Sequence, residues 1–233
     1  MPRINDLKQL TKVAIRLGPL CEKVVFLGGV VTPLLVTDLG AADPRPTLDV
    51  DVIVEVATVA DYYRLGEDLR NRGFKEDCST GSPICRWVVD GIVVDVMPTG
   101  AGILGFANRW YDEAFKSAPL FWLGDNLELR LISAPCFIAT KLEAFNGRGA
   151  NDFLGSRDME DIITVIDGRL ELFDEIRVCS TELRDYLSSE FRSMLQDESF
   201  IQCVSGHLPP DAASQARSKT ALARVRKIAG LSQ

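Results

Sequence analysis

The run Leu48-Asp49-Val50-Asp51-Val52-Ile53-Val54-Glu55-Val56 constrains the fold of this chain more than any other stretch. β-branched residues dominate it, and such side chains favour extended backbone, so it reads as a strand. Residues two apart on a strand point to one face, which sets Asp49 beside Asp51. Two adjacent carboxylates repel, and the apolar neighbours Leu48, Val50, Val52 and Ile53 add desolvation to that repulsion. A divalent cation is the simplest compensation, and magnesium prefers carboxylate, water and phosphate oxygens. A third acid, Asp95, lies inside another apolar run, Ile92 to Met97. If the two runs are neighbouring strands, three carboxylates converge and can hold two metal ions. Asp-x-Asp alone also arises by chance at strand ends; acids out of place in two strands favour a site.

The remaining pattern frames these strands. Leu7, Leu10, Val13, Ala14 and Leu17 predict an amphipathic helix over 4–17, stopped by Gly18-Pro19. Val24 to Leu27 reads as a buried strand, followed by Gly28-Gly29, a short apolar helix over 30–37 and a loop over 38–46. A helix over 58–72 ends at Gly73. Asp90-Gly91 between two apolar runs, 86–89 and 92–97, is a two-residue hairpin signal. Residues 127–132 suggest one more strand. Beyond Ser133 the pattern turns helical, over 134–146, 157–167, about 172–196 and about 211–229. The fold class expected is α/β, a mixed sheet flanked by helices and followed by a C-terminal helical domain. The domains expected are 1–133 and 134–233.

Composition removes several alternatives. A net charge of −7 argues against a protein that coats polyanions generally, so any nucleic-acid groove must be local. The six cysteines form no Cys-x-x-Cys pair and fit neither a disulfide framework nor a zinc site, and His207 is the single histidine. They read as small buried hydrophobes in a reducing compartment. There is no apolar run long enough for a signal peptide or a membrane span, so a soluble cytoplasmic protein without membrane contact is expected.

Gly28-Gly29 could let backbone N–H groups approach phosphate, or could be an ordinary strand-to-helix turn; it belongs to no Gly-x-Gly-x-x-Gly and no Walker lysine motif. Together, Gly28-Gly29 after an apolar strand, Thr47-x-Asp49-x-Asp51, and Asp95 on a later strand resemble the minimal nucleotidyltransferase superfamily. The sequence is similar in particular to the AbiEii/AbiGii-type nucleotidyltransferases, toxins of toxin–antitoxin and phage-defence systems. Lys141-x-x-Ala144-x-x-x-Arg148 and Arg157-Asp158-x-x-Asp161-Ile162 extend the resemblance, which covers about 22–170. It implies that Asp49 and Asp51 bind magnesium, that Asp95 completes the triad or helps activate the acceptor, and that Gly28, Gly29 and Thr47 contact triphosphate. Lys141 would pair with phosphate, and Asp158 would act near it. The segment between Gly29 and Asp49 is longer than the family pattern. The glycine-rich run 146–155 is longer too, which leaves the choice between Asp158 and Asp161 open.

Residue by residue, Lys141 could equally be a solvated neighbour of Ile138, Leu142 and Phe145. Asp158 and Asp161 share a helix face and could be a first-turn acidic cluster, with Arg157 pairing to either. The segment 146–155 is either a loop over the nucleotide or a plain helix connection. Arg217, Lys219, Arg224, Arg226 and Lys227 form a basic helix that either guides an acceptor such as a tRNA end or is simply a solvated face. The function expected is magnesium-dependent transfer of a nucleoside monophosphate, ATP among the candidate donors, to an RNA end, a protein or a small molecule. An antitoxin protein is a candidate partner. The rivals are a non-catalytic nucleotide- or partner-binding member of the same fold, and a nucleotide-sugar transferase.

Overall fold

Five strands make the sheet: β1 (Val24–Leu27), β2 (Asp49–Val54), β3 (Lys75–Glu76), β4 (Arg86–Val89) and β5 (Ile92–Pro98), in the spatial order β1-β2-β5-β4-β3. The computed structural model that gives this arrangement describes residues 4–124, 127–148 and 152–231. β2 runs parallel to β5, while β1–β2, β5–β4 and β4–β3 are antiparallel, so the sheet is mixed as expected. Asp90 and Gly91 both take positive φ, 50° and 77°. That is the backbone a two-residue type I′ hairpin needs, because its twist matches the flanking strands. The turn locks β4 onto β5 with Val89 opposite Ile92 and Arg86 opposite Asp95.

The sheet has two unequal faces. Val50, Val52, Val54, Val94, Val96, Trp87 and Val89 alternate onto one face and are buried. Asp49, Asp51, Ile53, Val93, Asp95, Arg86 and Val88 alternate onto the other, where all but Ile53 and Asp95 keep partial exposure. The acids therefore share no face with Val50 and Val52, and Leu48 is 81% exposed rather than core. Their surroundings are less oily than the bare sequence run suggests, because strand alternation separates neighbours in sequence onto opposite sides.

Helix α1 (Ile4–Leu17) packs on β2 and β5, with Leu10, Val13, Ala14 and Leu17 essentially inaccessible. Each fully buried leucine there contributes roughly 1.5–3 kcal/mol of apolar burial. The expected helix over 30–37 is instead a 3-10 turn, Gly29–Val31, and then the four-residue α2 (Thr32–Leu35). α3 (Val59–Asn71) starts at a capping box: the Thr58 hydroxyl accepts from the Asp61 N–H, and the Asp61 carboxylate accepts from the Thr58 N–H. Short helices α4 (Ala101–Leu104) and α5 (Tyr111–Ser117) and a hairpin of β6 (Leu120–Trp122) and β7 (Glu128–Arg130) complete this part.

The rest is helical: α6 (Ala134–Arg148), α7 (Arg157–Gly168), α8 (Leu172–Val178), α9 (Thr181–Met194), α10 (Glu198–Gly206) and α11 (Ala212–Ala229). The single helix expected over 172–196 is broken between α8 and α9. There the Ser180 hydroxyl accepts from the Leu183 N–H and starts a new helix. The chain divides into two compact units, Pro2–Val31 with Arg45–Ser133, and Thr32–Pro44 with Ala134–Gln233. The segment 32–44, α2 and the loop after it, thus belongs with the helices although it precedes Ser133. Arg217 on α11 ties it there, reaching both Asp38 (2.7 Å) and Asp167 (2.9 Å).

Candidate metal centre

Asp51 on β2 lies directly opposite Asp95 on β5, and Asp49 is two residues back along β2. All three side chains therefore leave one face of the sheet. One carboxylate oxygen from each acid lies within 4.8 Å of the others. Like charges at that spacing repel by about 1–3 kcal/mol per pair, depending on how much water screens them.

Gly28, at the end of β1, has φ +74°. A Cβ built there would lie 1.8 Å from Asp51 Oδ2 and 2.7 Å from its Cγ. Glycine at this position thus clears the space that the Asp51 carboxylate fills. Gly29 is less crowded: a Cβ there would stand 3.2 Å from an Arg45 guanidinium nitrogen and 3.3 Å from the Thr47 hydroxyl. Thr47 is buried, and its Oγ1 donates to Asp49 Oδ1 at 2.7 Å. The hydroxyl expected to meet triphosphate is thus aimed at a carboxylate. Because α2 is one turn long, no extended helix stands behind the two glycines to add a dipole for phosphate.

Arg86 holds the third acid. Its Nε and Nη2 donate to the two oxygens of Asp95, each at 2.8 Å. This ion pair raises the Arg86 pKa further, chiefly through the hydrogen bond to Asp95. Next to it, Cys85 is pushed up to about 11, by burial first and by Asp95 second. Tyr62 is also pushed up, by burial and then by Cys85 and Asp95, and its hydroxyl donates to the Val96 carbonyl at 2.8 Å.

The donor set fits a hard divalent cation. Every candidate ligand is a carboxylate oxygen, the type magnesium takes and zinc takes less readily than nitrogen or sulfur. A carboxylate offers about four lone-pair positions. The Thr47 bond to Asp49 and the Arg86 fork on Asp95 leave oxygen positions on both.

The second predicted block forms its own cluster in the helical unit. Lys141 Nζ on α6 lies 3.0 Å from Asp158 and 2.7 Å from Asp161 on α7. The ring of Phe137 is 5.8 Å away. Burial pushes the ammonium pKa down, but the two carboxylates more than offset this and leave it raised. Burial likewise pushes Asp158 up, and Lys141 and Arg148 bring it below the ordinary value. Both acids therefore engage the lysine, and Arg148, rather than Arg157, forks Asp158. The glycine-rich run 146–155 lies outside the described residues at 149–151.

On α11 the basic residues are largely committed within the helical unit. Arg217 binds Asp38 and Asp167, Arg224 donates to the Ile166 carbonyl, and Lys227 sits 3.7 Å over the ring of Phe173. The single His207 places Nε2 2.7 Å from the Phe153 carbonyl. Of the six cysteines, Cys21, Cys85, Cys136 and Cys203 are buried, Cys179 is half-buried and Cys78 is exposed, so burial holds for four.

Sequence reasoning passed over Arg86, although the two-residue turn that fixes β4 on β5 already places it opposite Asp95. It also passed over Gly100-Ala101-Gly102-Ile103-Leu104-Gly105, a Gly-x-Gly-x-x-Gly after β5. Only the single-turn α4 follows, and a Cβ on Gly100, Gly102 or Gly105 would meet nothing within 4 Å. The extended helix that this motif normally opens is thus missing there among the described residues. No helix among the described residues is long and apolar enough to cross a membrane. No protein-family model matches the chain, and no curated protein matches it.

Proposed function

We propose that this chain is a cytoplasmic nucleotidyltransferase that moves a nucleoside monophosphate from a triphosphate to a hydroxyl and releases pyrophosphate. The observation that carries the reading is the triad: Asp51 opposite Asp95 on paired strands, Asp49 alongside, and their oxygens within 4.8 Å. The space cleared by Gly28 for Asp51 adds to it.

Asp49, Asp51 and Asp95 would hold one or two magnesium ions. When bound, such ions neutralise charge on the transferring phosphoryl group and make a coordinated hydroxyl more acidic. The chain's own residues do the positioning. Thr47 orients Asp49, and Arg86 holds Asp95 in one orientation; by resemblance Asp95 would help activate the acceptor hydroxyl. The hydroxyl oxygen bonds to the α-phosphorus, the bond to the β-phosphate oxygen breaks, and the hydroxyl proton leaves to a carboxylate or to water. By resemblance, Gly28 and Gly29 would contact the triphosphate, Lys141 would pair with phosphate, and Asp158 would act near Lys141.

The test uses purified protein, α-labelled triphosphates and magnesium with RNA, protein and small-molecule acceptors. Asp49→Ala and Asp51→Ala should each abolish label transfer while circular dichroism stays unchanged; full transfer by both variants ends the assignment. A toxin role and an antitoxin partner rest on the resemblance alone, and growth arrest on expression, relieved by Asp49→Ala, tests them. One observation favours the non-catalytic rival: the Arg86 fork already compensates Asp95 without a cation. Calorimetric triphosphate binding with no transferred label would support that rival.

A further inference from the structure

Arg86 and Asp95 sit opposite each other on β4 and β5, and the guanidinium takes both carboxylate oxygens at 2.8 Å. The pair is two-thirds or more covered, with side chains 30% and 12% exposed. Asp95 is at the same time one of three acids whose oxygens lie within 4.8 Å. The same carboxylate therefore faces two cationic claimants, a fixed guanidinium and any ion that binds the triad. A two-pronged arginine fork is the strongest pairing a carboxylate makes with a side chain. An ion that binds the triad must share Asp95 with it or displace it, and it meets a fixed positive charge next to its site.

We infer that Arg86 tunes this centre by competing with the incoming ion for Asp95. Its fork already occupies both oxygens of that carboxylate before any ion arrives. Arg86 thereby sets the cation concentration at which the site fills. The inference rests on the reading that the triad binds a divalent cation, and it adds the residue that regulates that binding. Arg86 can act this way because β4 delivers it from the same side of the sheet as the acids. An arginine one residue away on that strand would point into the buried face.

Manganese serves as the probe, its binding read by electron paramagnetic resonance of free Mn2+ and by calorimetry on the full chain. Arg86→Gln, which removes the charge, should bind Mn2+ about tenfold more tightly than the wild type, the scale of one nearby unit charge partly screened by water. Arg86→Lys keeps the charge but cannot fork, and should bind about threefold more tightly. Without metal, the melting temperature of Arg86→Gln should fall, and saturating Mn2+ should raise it by more than it raises the wild type's. A merely structural arginine would lower the melting temperature without tightening Mn2+ binding. Wild-type binding that is lost in Asp49→Asn but equal or weaker in Arg86→Gln would overturn the role of Arg86 and leave the metal centre standing. Absence of Mn2+ binding in the wild type and in every variant would remove both. If Arg86→Gln does not fold, Arg86→Lys decides alone: tighter binding supports the inference and equal or weaker binding overturns it.

Discussion

Replacing Gly28 by alanine tests the geometry of the centre without touching an acid. Two separate costs follow. The backbone at φ +74° is left-handed, which costs an alanine about 1–2 kcal/mol. The new methyl would also meet three atoms of Asp51, Oδ2 at 1.8 Å, Cγ at 2.7 Å and Cβ at 3.0 Å. Rotation could carry the carboxylate away but not Cβ, so strand β2 or the turn must shift, at a further cost of about 1–3 kcal/mol. The sum is about 2–5 kcal/mol, which for a chain of this size lowers the melting temperature by about 2–4 °C per kcal/mol. Gly91→Ala is the matched control: φ is +77° but nothing lies within 4 Å of its Cβ. It should show the backbone cost alone. The three tryptophans, Trp87, Trp110 and Trp122, all belong to the sheet unit, so their fluorescence in urea reports that unit's unfolding. Asp51→Ala removes the two closest of the three contacts. Gly28→Ala combined with Asp51→Ala should therefore cost at least 1 kcal/mol less than the two changes added, on the order of coupling between touching residues. Equal losses for Gly28→Ala and Gly91→Ala, or additive behaviour in the double variant, would refute the packing of Asp51 over Gly28.

Two further outcomes are expected. In the helical unit, the Asp158 pKa is depressed, so its stabilisation is complete above the ordinary aspartate value near 3.9 and is lost as pH falls through the lower folded value. Lys141 is raised, so its share is complete below about 10.4 and is lost as pH rises through the folded value. Melting followed by far-ultraviolet circular dichroism should fall more steeply below pH 4 in the wild type than in Asp158→Asn. Lys141→Met, which takes the shared lysine from two buried acids, should cost about 3–5 kcal/mol at pH 7; an equal acid slope in Asp158→Asn or a silent Lys141→Met would contradict the cluster's role. Separately, a thiol reagent at pH 8 should label Cys78 fast and leave Cys21, Cys85 and Cys203 unlabelled until the protein unfolds. Burial pushes these three up, to about 11, 11 and 12, so they carry almost no thiolate. Mass spectrometry that finds fast labelling at Cys85 would show that it is not buried.

Local pattern carried far in this chain. The Asp90-Gly91 turn was readable because both residues tolerate positive φ, and it fixes the whole β4–β5 register. The first helix and the two glycines after β1 were readable for similar reasons of period and backbone freedom. Other features were not. The pause between α8 and α9 comes from a single serine cap, which competes with a continuing helical pattern. α10 was missed because the expected helices leave 197–210 without an element; Asp197 caps it by accepting from the Ser199 N–H. β7 falls inside the strand expected over 127–132, whereas the two-residue β3 and the three-residue β6 are too short to show a period.

The sequence alone determined that Asp49 and Asp51 share a side of one strand and that Arg86 opposes Asp95, since alternation and a two-residue turn leave the backbone no other choice. Only the tertiary structure decided that Asp95 stands level with Asp51. Those strands are parallel and 44 positions apart at that pair, and no local turn connects them, so their register depends on how the whole sheet packs. The same holds for Gly28, whose bareness makes sense once Asp51 is seen above it, and for the Lys141 cluster, whose two acids come from another helix. Short-range geometry is written in neighbouring residues; charges that meet across distant segments are brought together by burial of the core beneath them.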